Sequence, residues 1–126
     1  MANELGLNTK WTFYKEAPIP EWMPSIMVSG EVPELAYTTG RDVAVFTNMR
    51  LIVRDAQGIS GKKVEQYSLP WKSVIMWSSE NAIGFDFDSE IELWTLCGHV
   101  KINLAPSASV RNLDSVISAY ILGSNR

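Results

Sequence analysis

From Glu34 onward, short apolar-rich runs are separated by turn-forming residues about every 8–12 positions, and no other feature of the sequence narrows the fold more. Runs of that length build a barrel or a sandwich of short strands; strands alternating with long helical segments would build a parallel sheet. The runs cover residues 35–39, 42–46, 49–55, 63–69, 74–79, 85–95 and 100–104. Gly40 marks the first turn, Thr47-Asn48 a hairpin tip, and Pro70 the end of the fourth run.

The last two runs fix a register. With Cys97-Gly98 as the turn, Leu93 faces Ile102 and Ile91 faces Leu104 on one side. Glu92 then faces Asn103, and Trp94 faces Lys101, on the other. A slip of one residue would mix the two faces, so a hairpin with one buried side is expected. The hairpin around Thr47-Asn48 behaves differently. Phe46, Met49, Leu51 and Val53 share one face, and Val43, Val45 and Ile52 the other, so both are apolar. A small barrel takes in only one of them. The second needs cover from the N-terminal segment, from a helix, or from another copy of the chain.

The chain closes with a helical pattern. Val110, Leu113, Val116, Ile117, Tyr120 and Ile121 recur at helical spacing. Pro106-Ser107 precede them with a favourable N-cap, and Gly123 is a natural stop. One such helix after a run of strands can plug the open end of a barrel. Residues 1–30 form a separate N-terminal arm. Pro18, Pro20 and Pro24 exclude a long helix, while Trp11, Phe13, Tyr14, Trp22, Met23, Ile26 and Met27 are too apolar for a solvated tail. The arm is expected to pack against something, with a short helix around residues 21–28.

The length of 126 residues suits one domain with one core, without disulfide or metal staples. A net charge of −3 and the lack of a basic run argue against nucleic acid or an anionic membrane as partner. Cys97, the single cysteine, excludes an intrachain disulfide and suits a reducing compartment. No secretory leader or long apolar span is visible, so the cytoplasm is the expected location. Five tryptophans in so short a chain serve a core or an interface equally well.

Catalytic constellations are missing. Gly58-Ile59-Ser60-Gly61-Lys62-Lys63 lacks the first glycine and the final Ser or Thr of a phosphate loop, and reads as a glycine-rich hairpin loop. Asp86, Asp88, Glu90 and Glu92 alternate along one strand face, a solvated or lysine-paired acidic face. Cys97 and His99 lie across Gly98 with no third orienting group and too few ligands for zinc. No enzyme activity, cofactor or metal is expected. Arg41, Arg50, Arg54, Lys62 and Lys63 are the candidates for holding an anion.

The segments 46–52, 57–65 and 68–74, continuing through 79–82 and 85–91, resemble the bacterial pleckstrin-homology (PH) family in order and spacing, from about Glu31 to Leu122. Met49 stands where that family usually carries a basic residue, and Trp71 where a Tyr is common. The resemblance implies a mainly β, bent antiparallel barrel of about seven strands over residues 31–126, capped by one C-terminal α-helix. It also implies homo-oligomers, often ring-shaped, and no catalysis. The function expected is therefore a PH-like module acting through self-association and protein or surface recognition. Trp11, Trp22, Val43, Val45, Ile52, Trp71 and Trp77 are the interface candidates. The alternative is capture of a small anionic ligand, such as a nucleotide, at the basic residues near subunit interfaces.

Overall fold

A computed structural model describes residues 7–57, 63–80, 89–106 and 110–123 of the chain. Along them lie strands β1 (Leu7–Phe13), β2 (Glu16–Ala17), β3 (Pro33–Thr38), β4 (Val43–Thr47), β5 (Arg50–Gln57) and β6 (Lys63–Pro70). Strands β7 (Val74–Glu80), β8 (Ser89–Thr95) and β9 (Gly98–Leu104) follow, then the helix α1 (Val110–Gly123). They form two sheets, ordered β2-β3-β4-β5-β6 and β1-β9-β8-β7. Strands β3 to β9 are the seven expected from Glu31 onward. They make two packed sheets rather than one closed barrel, with α1 covering their shared core.

The N-terminal arm is part of both sheets. β1 runs parallel to β9, and Thr9, Trp11 and Phe13 stand opposite Val100, Ile102 and Leu104. After Phe13 the chain crosses over, and β2 pairs antiparallel with β3. Residues Tyr14 and Lys15 stitch the corner: the Tyr14 N–H donates to the Thr38 carbonyl (2.9 Å), and the Thr38 N–H to the Lys15 carbonyl (2.8 Å). In place of the expected helix around residues 21–28 there is a single 3-10 turn, Met23–Ser25, with Pro24 in its first positions.

Aromatic rings organise the inner core. Phe13, Tyr37 and Phe46 meet at centroid distances of 5.9–6.0 Å. From Phe46 the stack continues to Trp71 and then Tyr120, at 5.9 Å for each step with interplanar angles of 20° and 29°. Trp71 is fully buried, and its indole Nε1–H donates to the Thr47 carbonyl at 2.8 Å. One column of rings thus joins β4, the turn between β6 and β7, and α1. Helix residues Leu113, Ile117 and Ile121, spaced four apart, face the same core.

The β4–β5 hairpin is apolar on both sides, and each side has its cover. Ala44, Phe46, Leu51 and Val53 point into the inner core, whereas Val45 and Ile52 join Met23 and Ala36 in a second cluster. Ala17, Trp22, Ile26, Met27 and Val43 close around that cluster. The cover comes from residues 17–27 of the same chain. Met49 does not share the inner face, because the tip lies one residue later than expected. Phe46 pairs with Leu51, which leaves Asn48-Met49 as the turn, and Met49 is exposed.

The β8–β9 hairpin differs from expectation by two residues. Ile91 pairs with Ile102 and Leu93 with Val100, so Leu96-Cys97 is the turn. A two-residue shift preserves the side-chain alternation, which is why the pattern of faces alone could not distinguish the registers. Thr95 decides between them. Its Oγ1 donates to the Gly98 carbonyl (2.8 Å) and accepts from the N–H groups of Cys97 (3.0 Å) and Gly98 (3.1 Å). Gly98 closes the turn at φ +144°, where a side chain would be strained.

The loop containing Gly58 and Lys62, the acidic positions Asp86 and Asp88, the 85–88 part of the seventh run and the N-cap Ser107 lie outside the described residues. Replacing the buried Met23 by alanine removes the centre of the outer cluster. Met23→Ala is expected to lower unfolding free energy by about 2–4 kcal/mol, read from urea unfolding. A loss below about 0.5 kcal/mol, ordinary for surface substitutions, would show that the arm is not held on the hairpin.

Candidate interaction surface

Arg50 opens β5 beside the hairpin tip, and each of its three guanidinium nitrogens donates within the chain. Nε donates to Glu31 Oε2 at 2.8 Å and one terminal nitrogen to Glu31 Oε1 at 3.0 Å. The same terminal nitrogen donates to the Ile26 carbonyl (2.8 Å), and the other to Ser68 Oγ (3.0 Å). Glu31 also accepts from Thr47 Oγ1 (2.7 Å) and from the Val28 N–H (3.1 Å). Its side chain is wholly buried. Asn48 adds a second attachment, accepting from the Val32 N–H (2.7 Å) and donating to the Gly30 carbonyl (3.1 Å). The segment covering the hairpin is clasped to the hairpin's own tip. Arg50 is therefore a structural residue, not a free anion binder.

Burial alone pushes the Glu31 carboxyl up, and that is the largest single effect on it. Hydrogen bonds from Arg50, Thr47 and the Val28 amide, with the charge of Arg50, outweigh it together. The net result holds the group below the usual carboxylate range.

The other basic candidates are dispersed. Arg41 sits in the β3–β4 turn and pairs with Asp55 at 3.1 Å in the open. Gly40, at φ +96°, makes that turn possible. The Arg54 guanidinium lies 4.6 Å from the ring centroid of Trp22 on the outer face. Lys62 falls outside the described residues, and of Lys63 only the backbone is placed. A shallow depression of about 230 Å³ lies beside Lys10, Arg41 and Asp55, where opposite charges already meet.

Among the interface candidates, Val45, Ile52 and Trp71 are fully buried inside this chain, out of a partner's reach. Trp11, Trp22, Val43 and Trp77 are half-buried and lean on the two clusters. The acidic row continues as Glu90 and Glu92, which pair with Lys101 (3.7 Å) and His99 (2.6 Å). Cys97 is exposed at the β8–β9 tip. Among the described residues, no three His, Cys, Asp or Glu side chains gather as metal ligands.

Two features go beyond the candidates named from the sequence. The first is the outer edge of β7, which among the described residues pairs only with β8. Ile75 and Met76 on this edge are 67% and 53% exposed, and Leu96 at the neighbouring hairpin tip 75%. The Leu96 N–H donates to the Ser73 carbonyl (2.9 Å), which holds this tip against the start of β7. No residue from Val74 to Ser79 is charged. Of the other edge strands, β2 has two residues, β6 carries Lys63, Glu65 and Pro70, and β1 carries Lys10. Those are ordinary guards against edge-to-edge pairing; β7 carries neither charge nor proline before Glu80, and its one irregularity is a shift of register against β8 between Val74 and Met76.

The second feature is a cleft of about 570 Å³ between the β4–β5 tip and the last turn of α1. Met49, Pro70, Lys72, Ala119, Tyr120 and Gly123 line it. The Tyr120 hydroxyl donates to Glu34. Burial, then the Glu34 hydrogen bond and charge, push that phenol well above its ordinary range, so it stays neutral.

The family model for the bacterial PH domain matches residues 5–121. That span takes in β1 and β2 as well as the seven later strands. An uncharacterised Bacillus subtilis protein, YjqA, is 46% identical over 78 residues, which are 62% of this chain and 62% of that protein. The match thus spans less than two thirds of that relative. The crystal structure of a DUF1696 family protein with a pleckstrin-homology domain from Shewanella loihica superimposes with a TM-score of 0.77 at 34% identity. It covers 85% of this chain and 96% of that one. A pleckstrin homology domain from Shewanella amazonensis gives 0.63 at 36% identity, covering 80% and 82%.

The clasp makes a pH-dependent prediction. A carboxyl held low in the folded state contributes stability above its unfolded value near 4.5, and that contribution fades as pH falls through the folded value. Wild-type unfolding free energy should therefore drop below pH 4.5, and Glu31→Gln should lack that part of the drop. At pH 7 the same substitution should cost about 3 kcal/mol, because Arg50 loses its buried partner. Urea unfolding across pH 3–7 measures both.

Proposed function

The chain belongs to the bacterial PH domain family, and from that premise we propose that it is a non-catalytic module that assembles with copies of itself through the open edge of β7. The single observation carrying this reading is that, among the described residues, the outer edge of β7 pairs with no other strand and carries two exposed apolar side chains, with no charge before Glu80. A strand in that state is a template for a strand from another molecule, with main-chain hydrogen bonds supplying affinity and Ile75, Met76 and Leu96 the buried apolar area. Pairing of β7 with a different strand of the next copy would be head-to-tail, and a head-to-tail contact closes into a ring when its rotation permits.

The doubly apolar hairpin leaves no bare face for a partner. Its outer face is closed by the chain's own arm, so association has to use surface that the single chain leaves uncovered.

Light scattering coupled to size exclusion at micromolar concentration is expected to report a defined multiple of the 14.1 kDa chain. Ile75→Lys, which puts a charge on the edge without touching the core, is expected to return the mass to that of one chain with unchanged circular dichroism. Wild type running as a single chain at every concentration would overturn the proposal. So would an assembly indifferent to Ile75→Lys.

A further inference from the structure

The segment that covers the hairpin's outer face is held unevenly along its length. At one end Ala17 pairs with Ala36 in the β2–β3 ladder, and at the other the Ile26 carbonyl accepts from Arg50 at 2.8 Å. Between these points, among the described residues, no hydrogen bond runs from residues 18–25 to either sheet. The bonds they make are local: the Met23 N–H donates to the Pro20 carbonyl (3.2 Å), and the Ser25 N–H and hydroxyl to the Trp22 carbonyl (3.1 and 2.6 Å). Of this stretch only Met23 is buried; Pro20 and Trp22 are half-buried and the rest face solvent. Two side chains therefore hold its middle. Met23 is seated among Ala36, Val45 and Ile52, and the Trp22 ring meets the Arg54 guanidinium 4.6 Å from its centroid.

The outer cluster has four buried members among the described residues, against sixteen in the inner one. Lifting the middle of the cover withdraws Met23 alone from its strand-borne neighbours, whereas unfolding exposes both clusters. Segments held by few buried apolar contacts are the ones that open locally. Pro18, Pro20 and Pro24 restrict the backbone of this one, so it moves as a single piece between its fixed ends.

We propose that residues 18–25 form a lid that swings open about Ala17 and Ile26 while both sheets stay folded, which makes the hairpin's outer face a gated apolar surface. Met23 is the latch of the closed state. The Glu31–Arg50 clasp is the hinge, since it holds the far end of the lid in both states and returns it to its seat. Opening bares Ala36, Val45 and Ile52, which stand side by side in register across β3, β4 and β5. The lid lies on the five-stranded sheet and β7 belongs to the other, so the gate does not rest on self-association through β7.

Two neighbouring positions on β5 test it, because Ile52 faces the outer cluster and Val53 the inner one. In a Cys97→Ser background, which removes the exposed native thiol, Ile52→Cys and Val53→Cys are each labelled with a thiol reagent at rising urea below the unfolding transition. With each rate referred to the variant's own stability, Ile52→Cys is expected to label more than about tenfold faster, and urea should hardly change its rate. Val53→Cys should follow the urea dependence of global unfolding, whose slope reports the whole surface exposed. Val45→Cys serves in place of Ile52→Cys if that variant does not fold. Glu31→Gln is expected to speed Val53→Cys by about a hundredfold and Ile52→Cys by a clearly smaller factor, because the clasp is intact whether the lid is open or shut. Equal labelling of the two positions, or one urea slope shared by both, would overturn the proposal. So would acceleration of both by the same factor in Glu31→Gln. Repeating the pair on Ile75→Lys separates the lid from assembly, since loss of assembly there leaves the two rates apart.

Discussion

A two-stranded hairpin with apolar side chains on both faces cannot stand half in water, and the β4–β5 pair forces the rest of the molecule to form around it. Its inner face gathers the aromatic column and the helix; its outer face recruits the segment between β2 and β3. Burying the second face needs that segment held in place at little entropic cost, and the Glu31–Arg50–Thr47 cluster does so at the tip of the hairpin being covered. The clasp and the cover are consequences of one patterning decision in residues 43–53.

The strand runs, the helix and the family likeness were readable because they rest on local periodicity, and the described residues after Glu31 do form seven strands and a capping helix. What escaped the sequence was set by distant partners. β1 has a polar alternation of its own, yet its pairing is with the far end of the chain, which no local pattern reports. The β8–β9 register was missed by an even number of residues because alternation repeats every two positions, and only the Thr95 hydroxyl singles out the correct turn.

The site was less legible than the fold, for the same reason. Arginines were read by charge, but Arg50 is identified as structural only by a glutamate nineteen residues away. Tryptophans were read as core or interface, and Trp71 proved to be the middle of a column whose end opens on a cleft. The exposed edge of β7 has a sequence signal in retrospect, an uncharged stretch from Val74 to Ser79. That stretch looks identical whether a neighbour covers it or not.

The parallel pairing of β1 with β9 constrains the order in which the chain can mature. During synthesis β1 leaves the ribosome early but has no sheet to join until β9 has emerged, so the five-stranded sheet can assemble well ahead of the four-stranded one. Closing such a distant contact is slow compared with forming a hairpin. A nascent chain of this protein therefore carries β1 without its strand partner until β9 is free, a window in which chaperone contact has the most to protect.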